Sequence, residues 1–94
     1  MSGAVVSAEV VSQDARSYRL NVRVREGRSE TIHEVTLARD LLMRLGSGES
    51  AEAFVKRCFT FLLEREPKEA ILRSFDVSVI ARYFPNFERE IAHD

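Results

Sequence analysis

Residues 18–25 read Tyr-Arg-Leu-Asn-Val-Arg-Val-Arg, and no other stretch restricts the fold of this chain as strongly. Tyr18, Leu20, Val22 and Val24 alternate with Arg19, Asn21, Arg23 and Arg25. Successive side chains of a strand point to opposite faces, so a period of two predicts a strand with one buried and one solvated face. Glu26-Gly27 follows as a turn, because glycine tolerates the positive φ that tight hairpins require. Thr31 to Ala38 then supplies β-branched residues for a second strand. A two-residue loop at Glu26-Gly27 pairs Arg25 with Arg28, Arg23 with Glu30 and Arg19 with Glu34. On the other face it sets Leu20 against His33 and Val22 against Thr31. Two opposite-charge cross-strand pairs favour this register. A slip of one residue would place Glu34 on the core face.

Upstream, residues 4–12 (AVVSAEVVS) form a further strand, joined through Gln13-Asp14-Ala15-Arg16. Val6, Ala8 and Val10 share the core face, and Glu9 lies near Arg19 on the solvent face. The first third is therefore expected to be a three-stranded antiparallel meander over roughly 4–12, 17–25 and 30–38. Its outer face mixes Arg19, Arg23 and Arg25 with Glu9, Glu30 and Glu34, the pattern of a solvated surface.

The remainder reads as helical. Arg39 to Leu45 is a short helix ended by Gly46 as a left-handed cap. Ser50 is an N-cap, with Glu52 in the first turn of a helix running over 51–66. At about 100° per residue, Ala51, Phe54, Val55, Cys58, Phe61 and Leu62 form one stripe, flanked by Phe59 and Leu63. The apolar arc is roughly 200° wide, broader than one contact surface requires. This helix is expected to meet the sheet on one side and the C-terminal helices or another subunit on the other. Pro67 opens a helix over 67–74, and Asp76 caps another over 76–84. Pro85 breaks the chain again before a last helix over 86–92. Strands first and helices after define a single α+β domain over 1–94, with about four short-to-medium helices on one face of the sheet.

Composition narrows function more than it identifies it. The 94 residues are 45% hydrophobic and 31% charged with a net charge of −1, which gives no global attraction to nucleic acid or anionic membrane. No stretch approaches the ~20 apolar residues of a membrane span, and the N-terminus lacks the basic region of a signal peptide. A single cysteine, Cys58, rules out an intrachain disulfide and suits a reducing cytosol. Cys58 lies in the apolar stripe, with Arg57 directed elsewhere, and reads as a structural thiol. His33 falls on the core face as a hydrogen-bonded histidine, and neither it nor His93 makes a metal-ligand spacing. No acid/base pair, metal set or cofactor motif emerges, so no catalytic, cofactor-binding or metal residue is assigned. Gly46-Ser47-Gly48 lacks the Gly-Lys-Ser/Thr ending of a nucleotide loop and reads as a plain turn before an anion cradle.

Two binding classes stay open. Residues 33–66 have the outline of a ribbon-helix-helix DNA-binding regulator: strand, short helix, glycine turn, longer helix. Glu30 and Glu34 on the solvent face of the strand oppose phosphate contact. The favoured reading is a small cytoplasmic protein-interaction module that self-associates as a dimer and contacts another protein. Its candidate surface is Phe59, Leu63, Tyr83 and Phe87, drawn from the helix arc and the RYFPNF segment at 82–87. Ile80, Phe84, Phe87 and Ile91 fall at spacings suited to plugging the last helices onto helix 51–66. Tyr83 is the ring expected at the surface, because its hydroxyl seeks water or a partner.

Residues 59–91, with FLLEREP, then ILRSFD, then IARYFP, resemble a group of short uncharacterised bacterial and archaeal hypothetical proteins whose tails carry FLLEREP, IL-x-SFD and I-x-x-YFP. EVTLARDLLMRLGSGES at 34–50 is similar to their strand and glycine-rich turn. The resemblance covers about half the chain. It implies that these proteins form one family and carries over no activity, catalytic residue or binding residue.

Overall fold

A computed structural model describes residues 3–92, and His93 lies outside them. The chain forms a mixed α+β structure with four strands and four α-helices among the described residues. Strands β1 (Val5–Gln13), β2 (Ser17–Glu26) and β3 (Ser29–Ala38) make the expected antiparallel meander. A fourth strand, β4 (Ser74–Asp76), pairs in parallel with β3, so the sheet order is β1-β2-β3-β4.

The hairpin register differs from the sequence expectation by two residues. Glu26 faces Ser29, Arg25 faces Glu30, Val22 faces His33 and Leu20 faces Val35. The loop is Gly27-Arg28, and Gly27 has φ +63°. Both common two-residue hairpin turns need a positive φ at their first position. A Glu26-Gly27 loop would impose that conformation on a glutamate; moving the loop by one residue gives it to the glycine. The shift is even, so every side chain keeps its expected face. Leu20, Val22, Val24, His33, Val35 and Leu37 are buried, while Arg19, Arg23, Arg25 and Glu34 are exposed. Glu30 bridges both Arg23 and Arg25, at 3.3 and 3.7 Å.

One arginine joins the meander to the helical layer. At the β1–β2 turn, the Asp14 carboxylate accepts from the Arg16 and Ser17 amides at 2.8 and 2.9 Å. Those bonds hold its pKa below the ordinary carboxylate range. Arg39, first residue of α1 (Arg39–Leu45), donates to the Asp14 carbonyl, the Tyr18 hydroxyl and Gln13, and stacks 4.3 Å from the Tyr18 ring.

Helix α1 ends at Gly46, but not through a left-handed cap: Gly46 is extended, with φ −82°. Glycine is required there for space, because a Cβ would stand 2.7 Å from the Leu42 carbonyl oxygen. The positive φ falls two residues later, on Gly48 at +79°. Helix α2 (Ala51–Leu63) then starts on the expected cap, with Ser50 Oγ accepting from the Ala53 amide at 3.1 Å. Its wide apolar arc meets two surfaces. Phe59 packs on His33 and Phe75, at ring distances of 5.3 and 6.0 Å. Phe61 meets Phe84 and Phe87 edge-on, at 5.8 and 5.1 Å.

The C-terminal third departs most from expectation. No helix runs over 67–74; a 3-10 turn at Lys68–Ala70 leads into extended chain and β4. The Glu34 amide donates to the Arg73 carbonyl at 2.7 Å, and β3 takes up the polar backbone that a helix would have satisfied internally. Instead of one helix over 76–84, a 3-10 turn at Val77–Val79 precedes the four-residue α3 (Ile80–Tyr83). Asp76 is a cap as expected, accepting from the Ser78 amide at 2.9 Å. After Pro85 the chain turns into α4 (Phe87–Ile91). Ile80, Phe87 and Ile91 are buried against the core as plugs.

Candidate interaction cleft

The end of α2 and the stretch from Ala70 to Phe84 enclose an open cleft of about 370 Å³. Leu62, Ile71 and Ile80, all buried, form its floor. Half-buried Phe75, Val79 and Phe84 make the walls. Two large apolar side chains stand exposed at the lip: Leu72, 50% accessible, and Tyr83, 68% accessible. The extended course of residues 71–76 creates this shape. It turns Ile71 into the core and leaves its neighbour Leu72 exposed.

One carboxylate lines the cleft, that of Glu66. It has no ion pair or side-chain hydrogen bond among the described residues, and desolvation pushes its pKa up. Its placement was readable: Glu66 stands four residues after Leu62, on the continuation of the apolar stripe of α2. The other acids nearby are engaged. Arg44 of α1 donates to Glu88 at 2.8 Å, and Arg65 donates to Glu90 at 2.8 Å while lying 3.6 Å over the Phe61 ring. Arg57 of α2 holds Glu49 with two nitrogens and donates a third hydrogen bond to the Ile91 carbonyl at 2.6 Å. Three arginines therefore grip the five-residue α4, an arrangement that no local sequence pattern announces.

The four candidate surface residues separate. Tyr83 stands at the cleft lip, exposed as expected. Leu63 is half-buried against the core. Phe59 and Phe87 are corrections: they are 0% and 1% accessible and present no ring to a partner. His33 of β3 and Phe75 of β4 cover Phe59, and Phe87 turns inward from α4 onto Phe61 of α2.

The groups with chemical potential are occupied in the structure. The Cys58 thiol is fully buried and pushed up to about 12 by desolvation, which removes thiolate character near neutrality. His33 is held at both nitrogens. Its Nδ1–H donates to the Leu72 carbonyl at 2.7 Å, so Nε2 accepts from the Thr31 hydroxyl at 2.9 Å. Burial lowers its pKa and favours the neutral ring. Across the glycine turn, Glu49 is itself the anion: its pKa is lowered chiefly by Arg57, with a contribution from the Ser47 amide. No group of three metal-ligating side chains occurs among the described residues. The chain matches none of the protein-family models, curated proteins or solved structures with which it was compared.

Proposed function

We propose that the chain is a small, non-catalytic protein-interaction module that self-associates and contacts another protein through the cleft between α2 and residues 70–84. The supporting observation is the apolar cleft open to solvent with Leu72 and Tyr83 exposed at its lip. Tyrosine is favoured at interfaces because its ring supplies area and its hydroxyl accepts water or a partner. A chain of this length buries a little over 60% of its unfolded surface, and association adds to a small stability margin. Among the described residues no helix is long and apolar enough to cross a membrane. A cytosolic setting suits the lone, buried thiol. The resemblance of residues 59–91 to the short hypothetical proteins accords with a shared scaffold.

The DNA-binding alternative has less support. A ribbon-helix-helix protein pairs its strand with that of a second subunit, whereas β3 is already paired with β2 on one side and β4 on the other. Its solvent face offers Glu30, Ile32 and Glu34. Hydrogen exchange on dilute and concentrated protein, alone and with a captured partner, tests the module reading. Protection over 70–84 is expected in the associated state. A chain that stays monomeric at tens of micromolar, with partner capture indifferent to Tyr83→Ala, would sink it.

A further inference from the structure

We propose that the free edge of the sheet is where the chain self-associates: β1 pairs antiparallel with β1 of a second copy about a two-fold axis at Ala8, and the two four-stranded sheets become one. This rests on the self-association in the module reading above and gives it a surface, leaving the cleft to the other protein.

The two edges of the sheet are unlike. β4 closes one with three residues. β1 leaves the other open over nine, and no strand lies beside it among the described residues. An open edge presents a row of unpaired N–H and C=O groups, which natural proteins blunt with lysine, proline or a bulge. β1 carries neither lysine nor proline, and its bulge falls only after Val10. Before the bulge Val5 is 63% exposed, and Val6, Ala8 and Val10 on the core face are only half-buried.

The residues of the strand select the occupant. A two-fold antiparallel pair sets a strand against its own reverse. Residues 5–11 read Val-Val-Ser-Ala-Glu-Val-Val, apolar and polar in the same order from either end. An axis at Ala8 sets Val6 against Val10 and Ala8 against Ala8 on the core face, and Ser7 against Glu9 on the outer face. It also brings exposed Val5 to exposed Val11. An axis at Ser7 would set Glu9 against Val5, and one at Glu9 would oppose the two glutamates. An axis between residues would turn core side chains to solvent.

The outer face adds a charge match that the same register fixes. Ser7 is the β1 neighbour of Arg23 on β2. Glu9 of the second copy, opposite Ser7, therefore stands in the row of Arg23, two strands or about 10 Å away. Only a serine lies between these two long side chains, and the symmetry makes the contact twice. A foreign strand could also add to the edge, but it gives no account of a sequence that reads alike in both directions.

Sedimentation equilibrium and hydrogen exchange of the full chain, from micromolar to sub-millimolar concentration, test the pairing. The native protein is expected to dimerise, with amides within 5–11 gaining protection as concentration rises. Protection over 70–84 should come only with another protein. Ser7→Glu opposes like charges twice and should weaken the dimer about tenfold; adding Glu9→Lys should recover most of that loss. Both positions are exposed, and circular dichroism checks each fold. A native dimer without added protection over 5–11 overturns this inference and leaves self-association through another surface. Protection there with no response to the charge changes overturns the pairing about Ala8. A native monomer at every concentration overturns the inference together with the self-association reading, leaving only contact with a different protein.

Discussion

In the β1–β3 meander, long runs of backbone pair strand to strand, eight residues against eight between β1 and β2 and ten against ten between β2 and β3. Between residues 67 and 92 the longest helical piece is the five-residue α4. Helices of so few turns are not stable alone in water. What fixes this second region is side chains: Ile80, Phe87 and Ile91 plug the core, and Arg44, Arg57 and Arg65 grip α4 from outside. The meander distributes its stability over many weak, repeated bonds. The C-terminal third concentrates it in a few anchors. The contrast teaches where the molecule is tolerant: single changes should be absorbed in the sheet's outer face and felt strongly at the anchors.

The sharpest way to break the comparison is Phe87→Ala. The ring is buried and in edge contact with Phe61, so its removal should cost about 3–5 kcal/mol, measured by urea unfolding. That is a large part of the total for a domain of this size. A cost near zero would mean that α4 is not anchored there.

Arg57→Ala should come next, at about 2 kcal/mol, because it removes charge-assisted bonds from a pair only 22% and 20% accessible. The pair also predicts a pH dependence. Glu49 is depressed below its ordinary 4.5, so it contributes stability above the unfolded value and loses it as pH falls through the folded pKa. The difference between native protein and Arg57→Ala should therefore shrink on acidification below 4.5. The bond to the Ile91 carbonyl should survive and keep it above zero. Unfolding curves at neutral pH and well below 4.5 check both statements; a constant difference would remove Glu49 from the account.

At the gentle end, Glu30→Gln on the sheet removes bridges to Arg23 and Arg25, which are 56% and 65% accessible. Such exposed pairs contribute little, so the change should lie within about 0.5 kcal/mol and diminish with added salt. A loss of several times that amount would show the outer face of the meander to be an anchor after all.

Legibility follows the same division. The strands could be read because alternation is a local signal, and the face assignment survived even where the register did not. Charge pairing could not separate two registers differing by an even shift: Glu30 finds an arginine in either. Turn chemistry could, since Gly27 belongs at the first loop position. Residues 67–84 resisted because Ile71, Leu72 and Phe75 suit a short helix or an extended run equally. The deciding factor, backbone pairing with β3, lies elsewhere in the chain. Tyr83 was legible from its hydroxyl. Phe59 and Phe87 were not, because what covers them arrives from β3, β4 and the far wall of α2. Glu66 could have been noticed as an acid on an apolar stripe, but a cleft around it appears only once the 70–84 segment is in place.

The parallel pairing of β4 also sets an order of assembly. Glu34 and Ser74 are neighbours in the sheet yet forty residues apart in the chain, and α1 and α2 lie between them. The β2–β3 hairpin closes across two loop residues. Long loops close at greater entropic cost, so contacts across them form after local ones have reduced the chain's freedom. The fourth strand is therefore expected to join the sheet late, after α2 has docked, and the cleft to form with it. Phe75→Ala should accelerate unfolding far more than it slows folding, as read from the two limbs of a denaturant chevron. Slowed folding instead would place β4 in the nucleus. On this order the cleft is the last part of the molecule to be built and the first to come apart, so a ligand held there would act as a latch on the completed fold.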